Sequence, residues 1–509
     1  MLAALAHLGP LLAQTASFKA PHLDYYALLP EIVLTGVIVL ILLLDLVTDE
    51  PNKIIVTNLA GVGVLATLVP IVLLATYHHH PRSMLGGAYV VDNFALLLKG
   101  LFLATGYVVL LMGANYIEEG DYYEGEFSFL LLSSLLGMVV MASARDLITI
   151  FVALELLSIP AYMLAGWRKR DLKSNEASLK YYLLGVLSSA IMLYGMSLIF
   201  GATGTTVLAG ISETLSASAK VTPLATIGIF FIIVGFAFKV SAVPFHSWAP
   251  DTYEGAPTPV TAFLSVGSKT AGFVALFQLI YVGFIHQNRV WGPLFWVLAA
   301  LTMTVGNLVA LRQTNIVRML AYSSIAQAGY ILVPFAVVGS NGKAIAEAQT
   351  ASMVYLMIYA AMNLGAFAIV IAVARRTRSG EISSYAGLFS YAPGLTVLMT
   401  VFLFALAGIP PLGGWFAKFL IFQSALSAGT PAAIVLAVIA GVNSVIALFY
   451  YSAIAKEMWM NPVPEGESIA PIRVPASLGA ALGITAVVVV AIGVVPQVFA
   501  RLGDLARIH

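Results

Sequence analysis

Of the 509 residues, 60% are apolar and only 10% are charged, with a mean hydropathy of +0.95. Soluble domains carry roughly 25% charged residues, so a soluble enzyme is excluded, as are a disordered and a collagen-like chain. The net charge of +1 supplies no basic field for nucleic acid, and no phosphate-cradling or dinucleotide fingerprint occurs. With no cysteine in the sequence, disulfides, iron–sulfur ligation and thiolate zinc sites are excluded too. The chemistry takes place inside a bilayer, with ordinary side chains.

A spanning helix needs about 20 mostly apolar residues, because backbone polar groups find no water in lipid. About fourteen such runs are predicted, near 28–47, 54–76, 93–116, 127–144, 147–166, 177–200, 224–243, 259–284, 291–311, 317–338, 349–373, 395–426, 431–455 and 475–500. The fold class is therefore all-α, a polytopic membrane protein. The stretch before Leu28 is broken by Pro10 and Pro21 and lacks the basic start of a signal peptide, so it is expected to be retained. Basic loops favour the inner side. With an even number of spans, Arg168-Lys169-Arg170 and Arg375-Arg376-Thr377-Arg378 both fall there if the two termini lie outside.

Two spans read as broken. One runs Phe238-Lys239-Val240-Ser241-Ala242-Val243-Pro244-Phe245-His246-Ser247-Trp248, the other Ala407-Gly408-Ile409-Pro410-Pro411-Leu412-Gly413-Gly414-Trp415. Proline removes a helical hydrogen bond and clashes with the preceding turn, and glycine weakens the helix further. Pro244 and Pro411 lie 167 residues apart, as do Trp248 and Trp415, and Tyr162 and Tyr330 stand at nearly that offset. The units between are five spans long, an odd number, so they would be inverted. Paired discontinuous helices in inverted repeats are a transporter signature. The expected organisation is an N-terminal part over 1–126, five-helix repeats over 127–284 and 290–455, and a C-terminal part over 456–509.

A charge at a helix centre costs about 2.5–3.5 kcal/mol on insertion scales, so each one asks for a reason. Glu155, Lys239, Lys269 and Lys418 all fall within spans. Lys180 lies near the basic inner loop, where either function or snorkelling would account for it. Lys99 is expected to snorkel, and Glu31 and Asp45, near helix ends, to sit on solvated faces. Desolvation lets a buried lysine exchange a proton near neutral pH, which arginine cannot do. Several lysines against one glutamate cannot all be fixed ion pairs, so a switchable proton relay is favoured. His246, after the first break, is either a relay member or a cap of the broken helix. The tract His78-His79-His80 lacks other ligands and is not expected to bind metal. Glu118-Glu119-Gly120-Asp121 reads as a solvated loop. No nucleophile elbow supports hydrolysis.

These residues resemble a known family. The stretch from Phe238 to Val260, with Asp251-Thr252-Tyr253-Glu254-Gly255-Ala256-Pro257-Thr258-Pro259 at its end, is similar to the signature of the antiporter-like membrane subunits of respiratory complex I. Leu311-Arg312-Gln313-Thr314-Asn315-Ile316-Val317-Arg318-Met319-Leu320-Ala321-Tyr322-Ser323-Ser324-Ile325-Ala326-Gln327-Ala328-Gly329-Tyr330 and Gly-Ile-Pro-Pro-Leu-Gly-Gly-Trp-Phe-Ala-Lys-Phe at 408–419 resemble it at two more places. One branch of that family typically has Glu in the second broken helix, where this chain has Lys418. The resemblance implies inverted five-helix repeats and proton translocation driven by quinone reduction elsewhere in an NADH–quinone oxidoreductase. It implies Glu155 and Lys239 as a coupled pair, Lys180 as a modulator beside it, His246 as a bridge toward Lys269, Lys269 as the central relay and Lys418 as the terminal residue. It further implies no cofactor in this chain, with FMN, iron–sulfur clusters and quinone in the rest of the complex. The implied partners are antiporter-like neighbours and, through the complex, a peripheral redox arm. The implied place is a bacterial inner membrane. A subunit of a sodium/proton antiporter and a purely structural membrane subunit are the alternative readings.

Overall fold

The computed structural model describes residues 23–48, 54–77, 80–119, 124–217, 222–338, 342–464 and 469–508. The retained N-terminal stretch before residue 23, His78, His79, Gly120 and Asp121 lie outside the described residues.

Three helices open the chain: α1 Leu29–Val47, α2 Ile54–Tyr77 and α3 Asn93–Glu119. A two-stranded antiparallel hairpin, β1 Arg82–Met84 and β2 Tyr89–Val91, sits between α2 and α3. The first repeat follows with α4 Glu124–Ser143, α5 Leu147–Ala165, α6 Leu172–Thr203, a short α7 Leu208–Ala217, the broken pair α8 Pro223–Lys239 and α9 Trp248–Gly255, and α10 Thr258–Gly283. The second comprises α11 Asn288–Ala310, α12 Ile316–Val337, α13 Gly342–Thr377, the broken pair α14 Pro393–Ala407 and α15 Gly413–Ser427, and α16 Pro431–Met460. Helices α17 Ala476–Val494 and α18 Pro496–Leu505 close the chain. Twelve of the described helices are long and apolar enough to cross a membrane, and the two shorter apolar ones, α8 and α14, are the first halves of the broken spans. The expected fourteen segments are thus all present.

Helix starts follow local chemistry. Asp146 caps α5 by accepting from the amides of Ile148 and Thr149, and Thr222 and Thr430 cap α8 and α16 with proline directly after them. The two breaks run in opposite chain directions, because four whole spans, α10 to α13, lie between the broken pairs and α14 therefore comes five crossings after α8. Helices α10 and α13 are buried along their whole spanning windows, so they form the axis against which both repeats pack. Small residues set the closest approaches, as expected where lipid provides no hydrophobic drive between helices. A Cβ on Gly195 would sit 2.8 Å from the Gly228 carbonyl oxygen, which joins α6 to α8.

The second break depends on glycine more strictly. A Cβ on Gly414 would lie 1.7 Å from the carbonyl oxygen of Ala405, and one on Gly493 1.8 Å from that of Pro411. Neither obstacle is a flexible side-chain end; both are backbone. Gly414→Ala is therefore expected to force α14 and α15 apart and to lower the amount of assembled subunit several-fold, read by immunoblot of native gels of membranes. Wild-type levels would show that the break shifts freely.

Candidate functional site

Three lysines are buried at mid-depth on the two broken helices and the axial helix between them: Lys239, Lys269 and Lys418. Among the described residues, none forms a salt bridge. Each is held by neutral groups. Lys239 is the last residue of α8, and its Nζ donates to the Ser158 hydroxyl at 2.8 Å and to that of Tyr181 at 3.3 Å. Tyr181 stacks on Trp248, whose Nε1 donates at 3.0 Å to the carbonyl of Phe238 at the broken end. The break thus puts a lysine at a helix C-terminus, where positive charge is favoured.

Lys269 begins the regular part of α10 after a π-helical turn, Leu264–Ser268. Such turns free backbone groups and recur at functional sites. Here Tyr359 donates to the Ser265 carbonyl at 3.1 Å and Asn363 to its hydroxyl at 2.7 Å. Lys269 Nζ donates to the Ser324 carbonyl at 3.0 Å and also to the Ser324 hydroxyl. Lys418, on α15, donates at 2.7 Å to the carbonyl of Ala407, the last residue of α14, and stands 4.7 Å from the Tyr330 ring centroid.

A polar thread runs from Lys269 to Lys418. Ser323, next to Ser324, shares a hydrogen bond with Tyr451. Gln327 Nε2 donates to Tyr451 at 3.3 Å and to the Leu406 carbonyl at 3.1 Å, one residue before the acceptor of Lys418. Tyr355 donates to the Gln327 carbonyl oxygen. Among the described residues, the buried hydroxyls of Ser268, next to Lys269 in the chain, and of Tyr253 have no hydrogen-bond partner, as positions for structural water do.

The structure places the remaining expected residues as follows, and it overturns the surface placement of Lys99 and Glu31. Glu155 and Lys239 do not form an ion pair: Glu155 accepts from Ser189 at 2.6 Å. A cavity of about 10 Å3, room for about one water, is lined by Lys239, by Ser158 and by Ser189, the residue that bonds Glu155. Lys180 is partly exposed and bonds Asp251 at 2.7 Å and Glu176 at 2.6 Å, two acids that neutralise it. His246 is half-buried and makes no hydrogen bond to Lys239 or Lys269, and its Nδ1 is buried without a partner. Lys99 does not snorkel, and Glu31 is not on a solvated face: both are buried and lie 2.5 Å apart, each supplying the counter-charge that lets the other leave water.

Several residues were not singled out from sequence. Arg318 reaches Asp251 and Glu254, both at 2.9 Å, and Lys173 reaches Glu254 at 3.2 Å. With Lys180 these charges tie α6, α9 and α12 together at one membrane end. The acids stand three apart on a short helix, the one signal available for them. Ser324, Gln327 and Tyr451 carry no such signal, since polar uncharged residues are ordinary within spans.

Residues 144–445 match the family described as NADH:quinone oxidoreductase/Mrp antiporter, TM, a range that holds Glu155, Lys180, Lys239, Lys269 and Lys418. A curated relative from Trichlorobacter lovleyi, NADH-quinone oxidoreductase subunit N, is 39% identical, with 94% of this chain and 96% of that one aligned. A chain in respiratory complex I from Thermus thermophilus with bound aureothin superposes with a TM-score of 0.76 at 31% identity, over 93% of this chain and 99% of that one. A chain of the Mrp complex from a Dietzia species shares the fold, with a TM-score of 0.83 at 21% identity over 95% and 97%. The chain belongs to the antiporter-like family of membrane subunits common to NADH–quinone oxidoreductases and Mrp antiporters. Within that family it groups with subunit N, also called subunit 2, at about 40% identity over most of its length.

Proposed function

We propose that this chain translocates protons across the bilayer as a membrane subunit of an NADH–quinone oxidoreductase, driven by quinone reduction in other subunits. The observation that carries the reading is the row of three buried lysines held only by hydroxyls and carbonyls. A lysine bonded to neutral acceptors has no fixed counter-ion to keep its proton, so it is free to pass one on. Ser324, Ser323, Tyr451 and Gln327 give the proton donor and acceptor groups between Lys269 and Lys418. Glu155 biases Lys239, which lines a water-sized cavity, and the Lys180–Asp251–Arg318–Glu254 group closes one membrane end. His246 has an unfilled ring nitrogen that a water could join to the row. Flavin, iron–sulfur and quinone chemistry belong to other chains of the assembly, and antiporter-like neighbours flank this one. The membrane is a bacterial plasma membrane, with both termini on its outer side.

Glu155→Gln in the whole complex tests the reading. Amide and carboxylate are nearly the same size, and the Ser189 hydroxyl keeps an acceptor, so assembly should survive. Removing the charge removes the bias on Lys239, and both coupled quinone reduction and proton uptake should fall roughly fivefold, the factor that about 1 kcal/mol carries. The measurement is NADH-driven proton uptake in sealed vesicles with the level of complex checked on native gels. Wild-type pumping by an assembled variant would remove Glu155 from the mechanism, and loss of assembly would assign it a structural role.

A further inference from the structure

Glu31, Tyr89 and Lys99 make up a buried set of titratable groups that the lysine row does not use. Lys99 on α3 is fully buried, and its ammonium lies 2.5 Å from Oε1 of Glu31 on α1. The same oxygen accepts the Tyr89 hydroxyl of β2 at 2.6 Å, and the ammonium stands 5.5 Å from the centroid of the Tyr89 ring. Among the described residues, Oε2 of Glu31 is buried without a partner, and the ammonium has no hydrogen-bond acceptor besides the carboxylate. Burial, and then the Glu31 carboxylate, hold the Tyr89 phenol well above its usual range, so it stays a donor. A structural clamp would saturate both oxygens and all three ammonium protons, since a half-satisfied buried pair does not recover its desolvation cost.

The unfilled polar atoms continue toward the axis of the molecule. Ser143, the last residue of α4, is buried with its hydroxyl next to that of Tyr89. Gln278 on α10 donates to the carbonyls of Met141 and Ala142 at 2.8 and 3.1 Å, and its Oε1 is again buried and unpartnered. Gln278 shares its helix with Lys269, about 13 Å along the axis by helical rise. Buried polar atoms without protein partners are where structural water binds. At the hairpin end, Arg145 pairs with Asp92 at 2.9 Å and Arg82 with Asp24 at 2.5 Å, and both carboxylates are partly exposed.

We propose that Glu31, backed by Lys99 and Tyr89, is a second proton-exchange site, which takes protons from the Lys269 helix through water at Gln278 and Ser143 and delivers them at the hairpin end of the membrane. In one cycle the Glu31 carboxylate binds one proton and becomes the acid beside the Lys99 ammonium. It then gives that proton to water and returns to the ion pair, while Lys99 and Tyr89 keep theirs. The inference rests on the proton-translocation reading above.

The whole complex in sealed vesicles supplies the test. A hydrophobic carbodiimide reacts with protonated carboxyls in apolar surroundings, so Glu31 should be labelled, and faster with NADH present than without, as read by peptide mass spectrometry. A permanent ion pair would stay unlabelled in both conditions, and that result overturns the proposal without needing any variant. In Glu31→Gln/Lys99→Met, where no lone charge is left buried, the protons moved per NADH should fall below wild type but stay above the value found in Lys269→Arg, because the branch to Lys418 remains. Adding Lys269→Arg to the pair should give the Lys269→Arg value and nothing lower, because Lys269 feeds both branches. A wild-type ratio in the pair variant, with Lys269→Arg impaired, overturns this site alone; a wild-type ratio in Lys269→Arg overturns the translocation reading itself.

Discussion

Lys269→Arg will leave the complex assembled and cut NADH-driven proton uptake to less than about a tenth, a conservative share of what a positioned proton donor contributes. Lys269 donates to the carbonyl and hydroxyl of Ser324 and has no carboxylate in ion-pair range among the described residues. A guanidinium reaches the same acceptors and keeps the same charge, but it does not release its proton in a protein. A residue that served only as a fixed charge would therefore survive the change. The extra bulk costs about 1–3 kcal/mol in so tightly packed a helix, so the level of complex must be measured beside the rate. Lys269→Met should fail equally, for the opposite reason: it has no proton to give. Near-normal pumping in the arginine variant would show that charge, not proton exchange, is what this position supplies.

The Lys418 variants are expected to separate assembly from turnover. Its ammonium donates to the Ala407 carbonyl at 2.7 Å, an acceptor freed because α14 stops there. Lys418→Met leaves that oxygen buried and unmet, at a cost of about 1–3 kcal/mol, and so should lower the amount of assembled complex as well as its activity. Lys418→Arg restores a donor and should recover assembly on native gels, while coupled quinone reduction and proton uptake stay as low as in the methionine variant. Recovery of both by arginine would make Lys418 a cap for the broken helix and nothing more. Recovery of neither would mean that the pocket beside Tyr330 excludes the larger side chain, and Lys418→Gln, smaller and also a donor, then has to restore assembly without turnover.

The fourteen segments and both breaks were legible because their causes are local. Hydrophobic length selects a spanning helix wherever it occurs, and proline interrupts one near Pro244 and, with glycine, near Pro411 whatever packs around it. The inverted relation followed from counting five spans between them. That Lys239, Lys269 and Lys418 lie at mid-depth is likewise a matter of distance along a helix of fixed rise. Residue type added the chemistry, since a desolvated lysine gives up a proton and an arginine does not.

Which groups these side chains meet was decided by the tertiary structure alone. Lys99 and Glu31 looked like separate surface charges near helix ends, and they are one buried pair on two helices. Glu155 and Lys239 looked like a coupled pair, and the acid accepts from Ser189 while the lysine donates to Ser158 and Tyr181. Lys180 turns to Asp251, 71 residues further along the chain. The physical reason is the same in each case. Sequence sets how deep a residue sits, but its direction depends on the rotation of the helix about its own axis. In helices apolar on nearly every side, hydrophobic periodicity does not report that rotation. It is set by close packing against neighbours, as where Gly195 meets Gly228, and those contacts exist only once the chain has folded.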